Sequence, residues 1–396
     1  MAKNIVVSGV GCCLVDRLYN VSFETETFKP YLSRENGDGG LTPGQLVFRE
    51  EFEKFSGQNF QTIHKDLLSE RDPDKMNIGG PGIVSMIHAS QLSDLKKCDF
   101  QLYGCRGGDE DGEFIMSLLE NTPLNAGNYK VYDDETPSTV VLSDPEYDHG
   151  HGERIFINSI SAAWDYLPDE LNEDFYNSDV VVFGGTALVP LIHDHMTEIL
   201  KRAKSNGCIT VVNTVYDFRN EKANPQSKWP LGSSDESYRY IDLLMMDLEE
   251  AIRLSGKPDL DEAMQFFQEK GAGAVIVTSG AQNIRIFSGG KLFKELEMTE
   301  MPVSQAVAEE LKKGHDGDTT GCGDNFAGGV IASLVSQIQD DSSAPDIMDA
   351  AAWGIVSGGT SCFYMGGMYE ERHTGDKKEM IMPYYKKYRK QAGLLT

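Results

Sequence analysis

The first apolar run of the chain has the pattern of a buried strand. Residues 4–10 are mostly apolar and β-branched, and the run ends at Gly9-Val10-Gly11, as a buried parallel strand does. In the second half of the chain, strand-like and helix-like patterns alternate, which predicts a parallel sheet covered by helices. The alternating segments are residues 179–183, 191–204, 208–213, 241–246, 248–254, 261–270 and 274–278.

A polar and charged segment interrupts the apolar pattern between residues 22 and 76. It is too long for an ordinary connection, so we expect it to have structure of its own. Three later runs follow one another without an intervening helical pattern, which predicts a small sheet or flap. These runs are residues 129–133, 138–143 and 154–158.

The two patterns together predict how the chain is divided. We expect residues 1–16 and 77–396 to form an α/β core that holds the functional sites. Residues 17–76 are expected to form a lid or insert, with further lid strands within residues 129–160.

Composition and charge narrow the classes of partner. The chain has 396 residues, of which 40% are hydrophobic, so it can bury a large core. Its 36 basic and 62 acidic side chains give a net charge of −26. Phosphates would be repelled overall, so nucleic acid and anionic membranes are not expected as partners.

The cysteines indicate in which cellular compartment the protein is expected. Seven cysteines occur without a CxxC pair and are expected to be core thiols, which favours a reducing environment. The first residues lead directly into the strand-like run, and no apolar stretch approaches the length of a membrane span. We therefore expect a soluble, cytoplasmic protein.

The most informative run is Asp318-Thr319-Thr320-Gly321-Cys322-Gly323-Asp324. Apolar residues recur at helical spacing after it, so a helix is expected to begin near Cys322. Glycines let the backbone approach a ligand closely, and a helix start presents free N–H groups that suit an anion. Asp324 would lie in the first turn, where a carboxylate can accept a proton from a hydroxyl. The run therefore indicates phosphoryl transfer to an alcohol.

A simpler interpretation of the same run stays open. A glycine-containing turn can merely precede a core helix, with Asp324 as an acidic residue that favours the helix dipole. Glycine and aspartate are also ordinary turn residues.

The run resembles the second signature of the ribokinase-like (PfkB) sugar kinases, Asp-Thr-x-Gly-Ala-Gly-Asp. Cys322 stands where the family usually has alanine. The resemblance implies that Asp324 is the catalytic base and that the backbone N–H groups of Gly321, Cys322 and Gly323 stabilise the transferring charge. The thiol of Cys322 is expected to be a small buried hydrophobe rather than a reactive group.

The resemblance also implies a substrate site. Asp16, shortly after the first strand, corresponds to an aspartate that holds sugar hydroxyls, although an aspartate there can be a simple turn former. Gly79 and Gly80 resemble the first glycine pair, where the backbone approaches the substrate. Residues 81–84 are Pro-Gly-Ile-Val, whereas many members have asparagine nearby, so the identity of the sugar stays open.

Asp247-Leu248-Glu249-Glu250 resembles the Asn-x-x-Glu element that acts near magnesium and the phosphates. Asp247 and Glu250 would share one helical face, and their oxygen atoms suit Mg²⁺. Aspartate in place of asparagine adds negative charge. An acidic, solvated helix start is the alternative interpretation.

The remaining matches concern the nucleotide. Thr278 and Gly280 resemble a strand end that lines the nucleotide site, and Arg219 is a candidate phosphate contact, although a surface arginine is equally compatible with its sequence. Asp318 and Thr320 belong to the signature run and are expected beside the same cofactor. The resemblance implies ATP and Mg²⁺, and whether a monovalent cation such as K⁺ assists stays open.

Together these features predict a ribokinase-like α/β fold with three layers, a mostly parallel central sheet and a small β-rich lid. The expected activity is ATP-dependent phosphorylation of a sugar hydroxyl, with a homodimer formed through the lid. Two alternatives stay open, namely a nucleoside kinase of the same fold and a non-catalytic regulator that binds a sugar or a nucleotide.

Overall fold

The computed structural model describes residues 4–35, 37–150, 152–225, 227–315, 317–340 and 344–394. Its strands are β1 (Ile5–Gly11), β2 (Leu14–Asn20), β3 (Leu46–Phe48), β4 (Lys75–Gly79), β5 (Cys98–Gly107), β6 (Asn125–Tyr132), β7 (Ser138–Asp144), β8 (Glu153–Ser159), β9 (Val180–Gly184), β10 (Ile209–Asn213), β11 (Leu243–Asp247), β12 (Ala274–Thr278), β13 (Ile284–Ser288) and β14 (Leu296–Met301).

The α-helices are α1 (Arg49–Ser56), α2 (Phe60–Leu68), α3 (Pro81–Leu92), α4 (Glu110–Leu119), α5 (Tyr147–Gly150), α6 (Glu173–Tyr176), α7 (Pro190–Asp194), α8 (Met196–Ser205), α9 (Phe218–Ala223), α10 (Leu248–Ser255), α11 (Leu260–Glu269), α12 (Gln305–Leu311), α13 (Cys322–Gln339), α14 (Ile347–Ser361) and α15 (Asp376–Gln391). None of the helices within the described ranges is long and apolar enough to cross a membrane.

Nine strands form a large sheet in the order β14-β13-β12-β11-β10-β9-β1-β5-β6. The strands from β12 to β6 run parallel, and β13 and β14 add an antiparallel edge. Because neighbouring parallel strands end at the same edge, this edge is where an α/β sheet binds ligands. The strand ends that meet there include Gly11, Gly184, Asn213, Asp247 and Thr278.

Helices cover both faces of the large sheet. Along β9, Val180 and Val182 pack into one apolar core and Val181 and Phe183 into another, as expected when alternate side chains of a strand point to opposite faces. The first core includes residues of α3, α4 and α12–α15, and the second includes residues of α6–α8, α10 and α11. The predicted three-layer arrangement with a mostly parallel sheet is confirmed.

A second sheet has the strand order β3-β8-β7-β2-β4. One of its faces is apolar and packs against residues of the insert, where Phe52 of α1 and Ile63 of α2 are buried beside Val140 and Ile157. The insert therefore forms a third core of its own and covers one side of the second sheet. The opposite side of this sheet stays free to face the large sheet.

Two expected boundaries differ in the structure. Residues 129–132 belong to β6, which pairs in parallel with β5 at the edge of the large sheet, so they are not a lid strand. An edge strand of the large sheet and a strand of the lid both alternate polar and apolar residues. The sequence pattern therefore could not show to which sheet residues 129–132 belong. The second sheet also begins at Leu14, within the segment 1–16 that was expected in the core, and it extends to Gly79.

Candidate active site

The signature run forms a tight turn that leads into α13. Gly321 precedes the helix with φ 72° and ψ 11°, a left-handed conformation that glycine adopts without strain. A Cβ at this position would lie 2.5 Å from the Cα of Gly367. The predicted helix start at Cys322 is confirmed, and both the conformation and the close approach explain why glycine is needed before it.

Asn325 fixes the shape of this turn from inside the protein. Its Nδ2 donates to the carbonyl oxygens of Gly321 (2.9 Å) and Gly367 (2.8 Å). Its Oδ1 accepts from the Tyr364 hydroxyl (3.0 Å) and from Lys377 Nζ (2.9 Å). The amide therefore uses two donors and two acceptor positions, and it joins the turn to the loop that follows α14.

Asp318 holds the other end of the run. Its Oδ1 accepts from the backbone N–H groups of Thr320 (2.9 Å) and Gly366 (3.3 Å). Arg154 of β8 contacts the same end of the run. Its Nη2 lies 3.6 Å from Asp318 Oδ2, and its Nη1 donates a 3.3 Å hydrogen bond to Thr320 Oγ1. One basic side chain thus connects the second sheet to the signature run.

The inner face of the second sheet has a polar row across four strands. Asp16 lies opposite Asn77 on one side and Thr139 on the other, and Thr139 lies opposite Asn158. Asn158 Nδ2 donates to Thr139 Oγ1 at 3.0 Å. Arg154 lies on the same face, four residues before Asn158 on β8. We call Asn77, Asp16, Thr139 and Asn158 the polar row.

Asp16 and Asp324 are close enough to influence each other. Burial raises the pKa of Asp324 to about 7. Burial also raises the pKa of Asp16 to about 7, and the charge of Asp324 adds to the rise while Thr139 and Arg154 oppose it. Two carboxyl groups with raised pKa values therefore lie near each other, which is typical of a functional site.

The glycine pair is packed against this site. A Cβ on Gly79 would overlap Oδ2 of Asp16, so the glycine leaves space for that carboxylate. Gly80 has φ 99°, and a Cβ there would lie 2.5 Å from the carbonyl oxygen of Cys12. Residues 81–84 form the first turn of α3 and are buried, so their apolar character is explained by packing.

Asp247 and Glu250 form a capping box at the start of α10. Asp247 Oδ1 accepts from the Glu250 N–H at 2.8 Å, and Glu250 Oε2 accepts from the Asp247 N–H at 3.0 Å. Glu250 is buried, and its Oε2 also accepts from the Thr214 hydroxyl at 2.6 Å. Burial raises the pKa of Glu250 to about 7, with contributions from the charges of Asp247 and Asp324. The pair therefore serves as a helix start and lies near Asp324.

The residues expected beside the nucleotide are distributed along the same edge. Thr278 is the register partner of Asp247 at the ends of β12 and β11. Gly280 follows with φ 54°, and a Cβ there would meet no atom within 4 Å, so this turn is open. Arg219 instead forms a two-pronged ion pair with Asp194, one of its N–O distances being 2.9 Å. A phosphate at Arg219 would have to compete with that carboxylate.

Cys322 and Gly323 form the first turn of α13. The Cys322 N–H donates a long hydrogen bond of 3.3 Å to the Thr319 carbonyl oxygen. Gly323 is exposed, and a Cβ on it would meet no atom within 4 Å, so the turn is open on this side. The Cys322 side chain is only half-buried, which differs from the expected small buried hydrophobe.

Sequence reasoning missed several residues at the site. Arg154 and Asn158 belong to a run already identified as a strand, and its period of two would have placed both on one face. Lys377 and Gly367 gave no such signal, because they reach the turn only through the path of the chain after α14. Their contact with Asn325 depends on tertiary structure.

A family model described as pfkB family carbohydrate kinase matches residues 58–369 of the chain. The chain belongs to this family. Kinases of this class are phosphotransferases with an alcohol group as acceptor, and a helix start beside two carboxyl groups suits that reaction.

This kinase resembles relatives that differ in substrate. A fructokinase of Vibrio alginolyticus is 24% identical over 306 residues, which cover 76% of this chain and 91% of the relative. An adenosine kinase from Schistosoma mansoni, solved in complex with 2-fluoroadenosine, aligns with a TM-score of 0.67 at 16% identity and covers 94% of this chain and 99% of that one. A probable sugar kinase from Rhizobium etli aligns with a TM-score of 0.65 at 15% identity over 100% of both chains. The two structural matches establish the fold.

Proposed function

We propose that this kinase transfers the γ-phosphate of ATP to a hydroxyl of a carbohydrate that is held on the polar row. The observation that carries the proposal is the position of Asp16 within that row, close to Asp324. Carboxylate, amide and hydroxyl groups side by side can bind several neighbouring hydroxyls of a sugar. A sugar held there would present a hydroxyl to the base.

Asp324 accepts the proton of the attacking hydroxyl. Its pKa of about 7 leaves a large ionised fraction near neutral pH and makes it a stronger base than an ordinary aspartate. The backbone N–H groups of Gly321, Cys322 and Gly323 stand at the positive end of the α13 dipole and stabilise charge on the transferring group. Proton acceptance and charge stabilisation thus come from one turn.

The nucleotide would lie along the strand ends that contain Thr278 and Gly280, with its phosphates toward Asp318 and Thr320. Mg²⁺ would be held by Asp247 and Glu250, whose oxygen atoms are ligands of the kind it prefers, and when bound it neutralises phosphate charge. Binding of phosphate by Arg219 stays a prediction. Assistance of the reaction by a monovalent cation such as K⁺ stays a prediction as well. Activity measured in K⁺ and in Na⁺ would test the latter.

The second sheet and the insert would act together as the lid. Arg154 connects the lid to Thr320 and Asp318, so its position depends on how closely the lid approaches the turn. Closure would exclude water and suppress ATP hydrolysis. The division into a core and a lid stays a proposal, with the lid now formed by residues 14–79 and by the strands β7 and β8, and so does a cytoplasmic location.

A homodimer through the lid stays a prediction as well. The insert helices α1 and α2 cover the apolar face of the second sheet. A dimer through the lid would therefore join the outer surfaces of these helices or the sheet edges β3 and β4. Sedimentation of the intact chain at several concentrations would test it.

A nucleoside is the second candidate acceptor, because the fold is similar to that of adenosine kinases. The polar row favours a polyhydroxylated acceptor without indicating a base. A regulator that binds ligand without turnover is the third alternative, and Asp247 in place of asparagine is the sequence feature that supports it.

One experiment separates the three. ADP release is measured with Mg-ATP across free sugars, sugar phosphates and nucleosides, for the natural chain and for Asp324→Asn. Activity on one class that falls at least ~100-fold in the variant would establish both reaction and acceptor. Asp340→Asn, an exposed change just beyond the other end of α13, is the matched control and should retain activity. Full activity in Asp324→Asn would refute the proposed base, and ligand binding without ADP would favour the regulator.

A further inference from the structure

Two cysteines meet at the start of the catalytic helix. The Sγ atoms of Cys322 and Cys362 are 3.3 Å apart, and the Ser361 hydroxyl donates to Cys322 Sγ at 3.2 Å. Both cysteines are half-buried, whereas the other five cysteines are buried. This pair is therefore more accessible to a small oxidant than the other thiols are.

The two thiols are held together by packed helices. Cys322 is the first residue of α13, and Cys362 directly follows α14. A Cβ on Gly358 would lie 2.9 Å from the carbonyl oxygen of Cys322, so the end of α14 lies directly against the start of α13. Asn325 holds the same turn from its other side. The sulfur atoms consequently face each other without a change in the path of the chain.

We propose that Cys322 and Cys362 form a reversible disulfide that switches off phosphoryl transfer. A disulfide has an S–S length of about 2.0 Å, so the sulfur atoms have to approach by roughly 1.3 Å from 3.3 Å. Thiols in reducing compartments form such bonds mainly in sensing and catalysis, where the bond is transient.

Hydrogen peroxide is a sufficient oxidant. The hydrogen bond from Cys322 lowers the pKa of Cys362 to about 7, which favours its thiolate. The thiolate attacks one oxygen of peroxide, the O–O bond breaks, and hydroxide leaves as Cys362 becomes a sulfenic acid. The sulfur of Cys322 then attacks that of Cys362, the S–O bond breaks, and water leaves with the thiol proton. Overall two thiols lose two electrons and two protons, and one peroxide becomes two waters.

The bond would displace the groups that act on phosphate. Cys322 lies between Gly321 and Gly323, and Asp324 is two residues further along the helix. Drawing the Cys322 side chain toward α14 moves this turn, and displacement of catalytic groups by about 1 Å can lower a rate on the order of 100-fold. A dithiol reductant would reverse the reaction. The disulfide does not depend on the proposed function, whereas the loss of activity rests on it.

The test combines peptide mapping with activity. The natural chain is treated with a small excess of hydrogen peroxide, free thiols are blocked, and the digest is searched for a linked peptide that contains Cys322 and Cys362. We expect this linkage, a loss of kinase activity on the order of 100-fold, and recovery of both with dithiothreitol. Cys362→Ser should keep its activity in peroxide, and Cys98→Ser, a change at a buried thiol elsewhere, should respond like the natural chain.

The outcomes separate this inference from the proposed function. Absence of the linked peptide from folded, oxidised protein would overturn the disulfide. A linked protein that keeps full activity would overturn the switch and leave the kinase assignment intact. A reduced protein that is inactive on every acceptor would refute the proposed function, while the mapping would still decide the disulfide. Because the mapping uses the natural chain, it does not depend on the folding of any variant.

Discussion

Lys377 Nζ donates a 2.9 Å hydrogen bond to Asn325 Oδ1, and both side chains are buried. Burial lowers the pKa of Lys377 well below its usual value, although the charge of Glu371 acts in the opposite direction. Burial therefore favours the neutral form of this amine more than water does, and the amine supports the amide that holds Gly321 in the turn before α13.

Asn325→Ala should weaken both the fold and the catalytic turn. The change removes the partner of four polar groups, and a buried group without a partner costs about 1–3 kcal/mol. We expect the free energy of unfolding to fall by at least about 2 kcal/mol, and kcat to fall more than KM rises, because the turn positions groups that act in the transition state. Denaturant unfolding and steady-state kinetics measure the two effects. Asn121→Ala, an exposed change on the surface, should alter stability by less than about 0.5 kcal/mol. Unchanged kcat in Asn325→Ala would contradict the positioning role.

Lys377 should make the free energy of unfolding rise with pH in the neutral to alkaline range. Because its pKa is lowered in the folded state, the unfolded chain binds the proton at pH values where the folded chain does not. The contribution of Lys377 to the free energy of unfolding is complete above its pKa in the unfolded chain, 10.5. It is lost as the pH falls toward the lower pKa that Lys377 has in the folded chain. Unfolding measured between about pH 7 and pH 10 should therefore show a rise that Lys377→Met lacks. Lys387→Met, an exposed change on the same helix, should follow the natural chain. Parallel curves for all three proteins would rule out the lowered pKa.

The kinase should lose activity below neutral pH. Asp324 has to be ionised to accept a proton, and its pKa and that of Asp16 are both raised to about 7. The value of kcat/KM should rise with pH through about 7 and level off about one unit higher, with apparent values that belong to the coupled pair. The measurement uses saturating Mg-ATP and a limiting acceptor. A profile that is flat from about pH 5.5 to pH 8 would exclude an ionisation of this kind.

Asp324→Asn should stabilise the fold most at alkaline pH. The folded pKa of Asp324 is raised from 3.8 to about 7, so the stability that this group contributes is present below 3.8 and is lost as the pH rises through about 7. Asparagine removes the ionisation, so the variant should melt at a higher temperature than the natural chain, with a larger difference at about pH 8 than at about pH 5. Asp72→Asn, at an exposed site, should show no such trend. A variant that is less stable than the natural chain by the same amount at both pH values would count against a raised pKa of Asp324.

Gly79→Ala should impair binding of the acceptor. The added Cβ would overlap Asp16 Oδ2 and displace the carboxylate from the polar row. We expect kcat/KM for the acceptor to fall at least about 10-fold, with the KM for ATP almost unchanged, because the contact concerns the sugar side. Gly108→Ala is a suitable control, since its Cβ would make an ordinary 3.7 Å contact with Val131. If ATP binding weakened as much as acceptor binding, Asp16 would not be specific to the acceptor.

The fold and the turn that precedes α13 could be predicted from local signals. The alternation of strands and helices indicated the parallel sheet, and the glycine turn before an apolar helix indicated the start of α13, because these patterns follow from backbone geometry. Asp324 was first identified from its place after the glycine turn, whereas Asp16 was identified through the resemblance to the kinase family. Their proximity is a property of the folded chain, since β2 brings Asp16 into the second sheet.

Other features depend on contacts between distant segments. The strand pattern of residues 129–132 was visible, yet the sheet that it joins is decided by pairing with β5. Cys362 lies 40 residues after Cys322, and nothing local to either residue indicates that the thiols meet. The resemblance made Arg219 a candidate phosphate contact. Its ion-pair partner Asp194 could not be identified from the sequence, because the two residues meet only in the folded chain.

The helices α1 and α2 cover the apolar face of the second sheet with side chains of the same molecule. A sheet with one apolar face would otherwise need a second subunit to cover it, and its folding would then depend on protein concentration. In this chain Phe52 and Ile63 are tethered to the surface that they cover. The second sheet should therefore remain folded at high dilution, and removal of α1 and α2 should make the shortened protein self-associate.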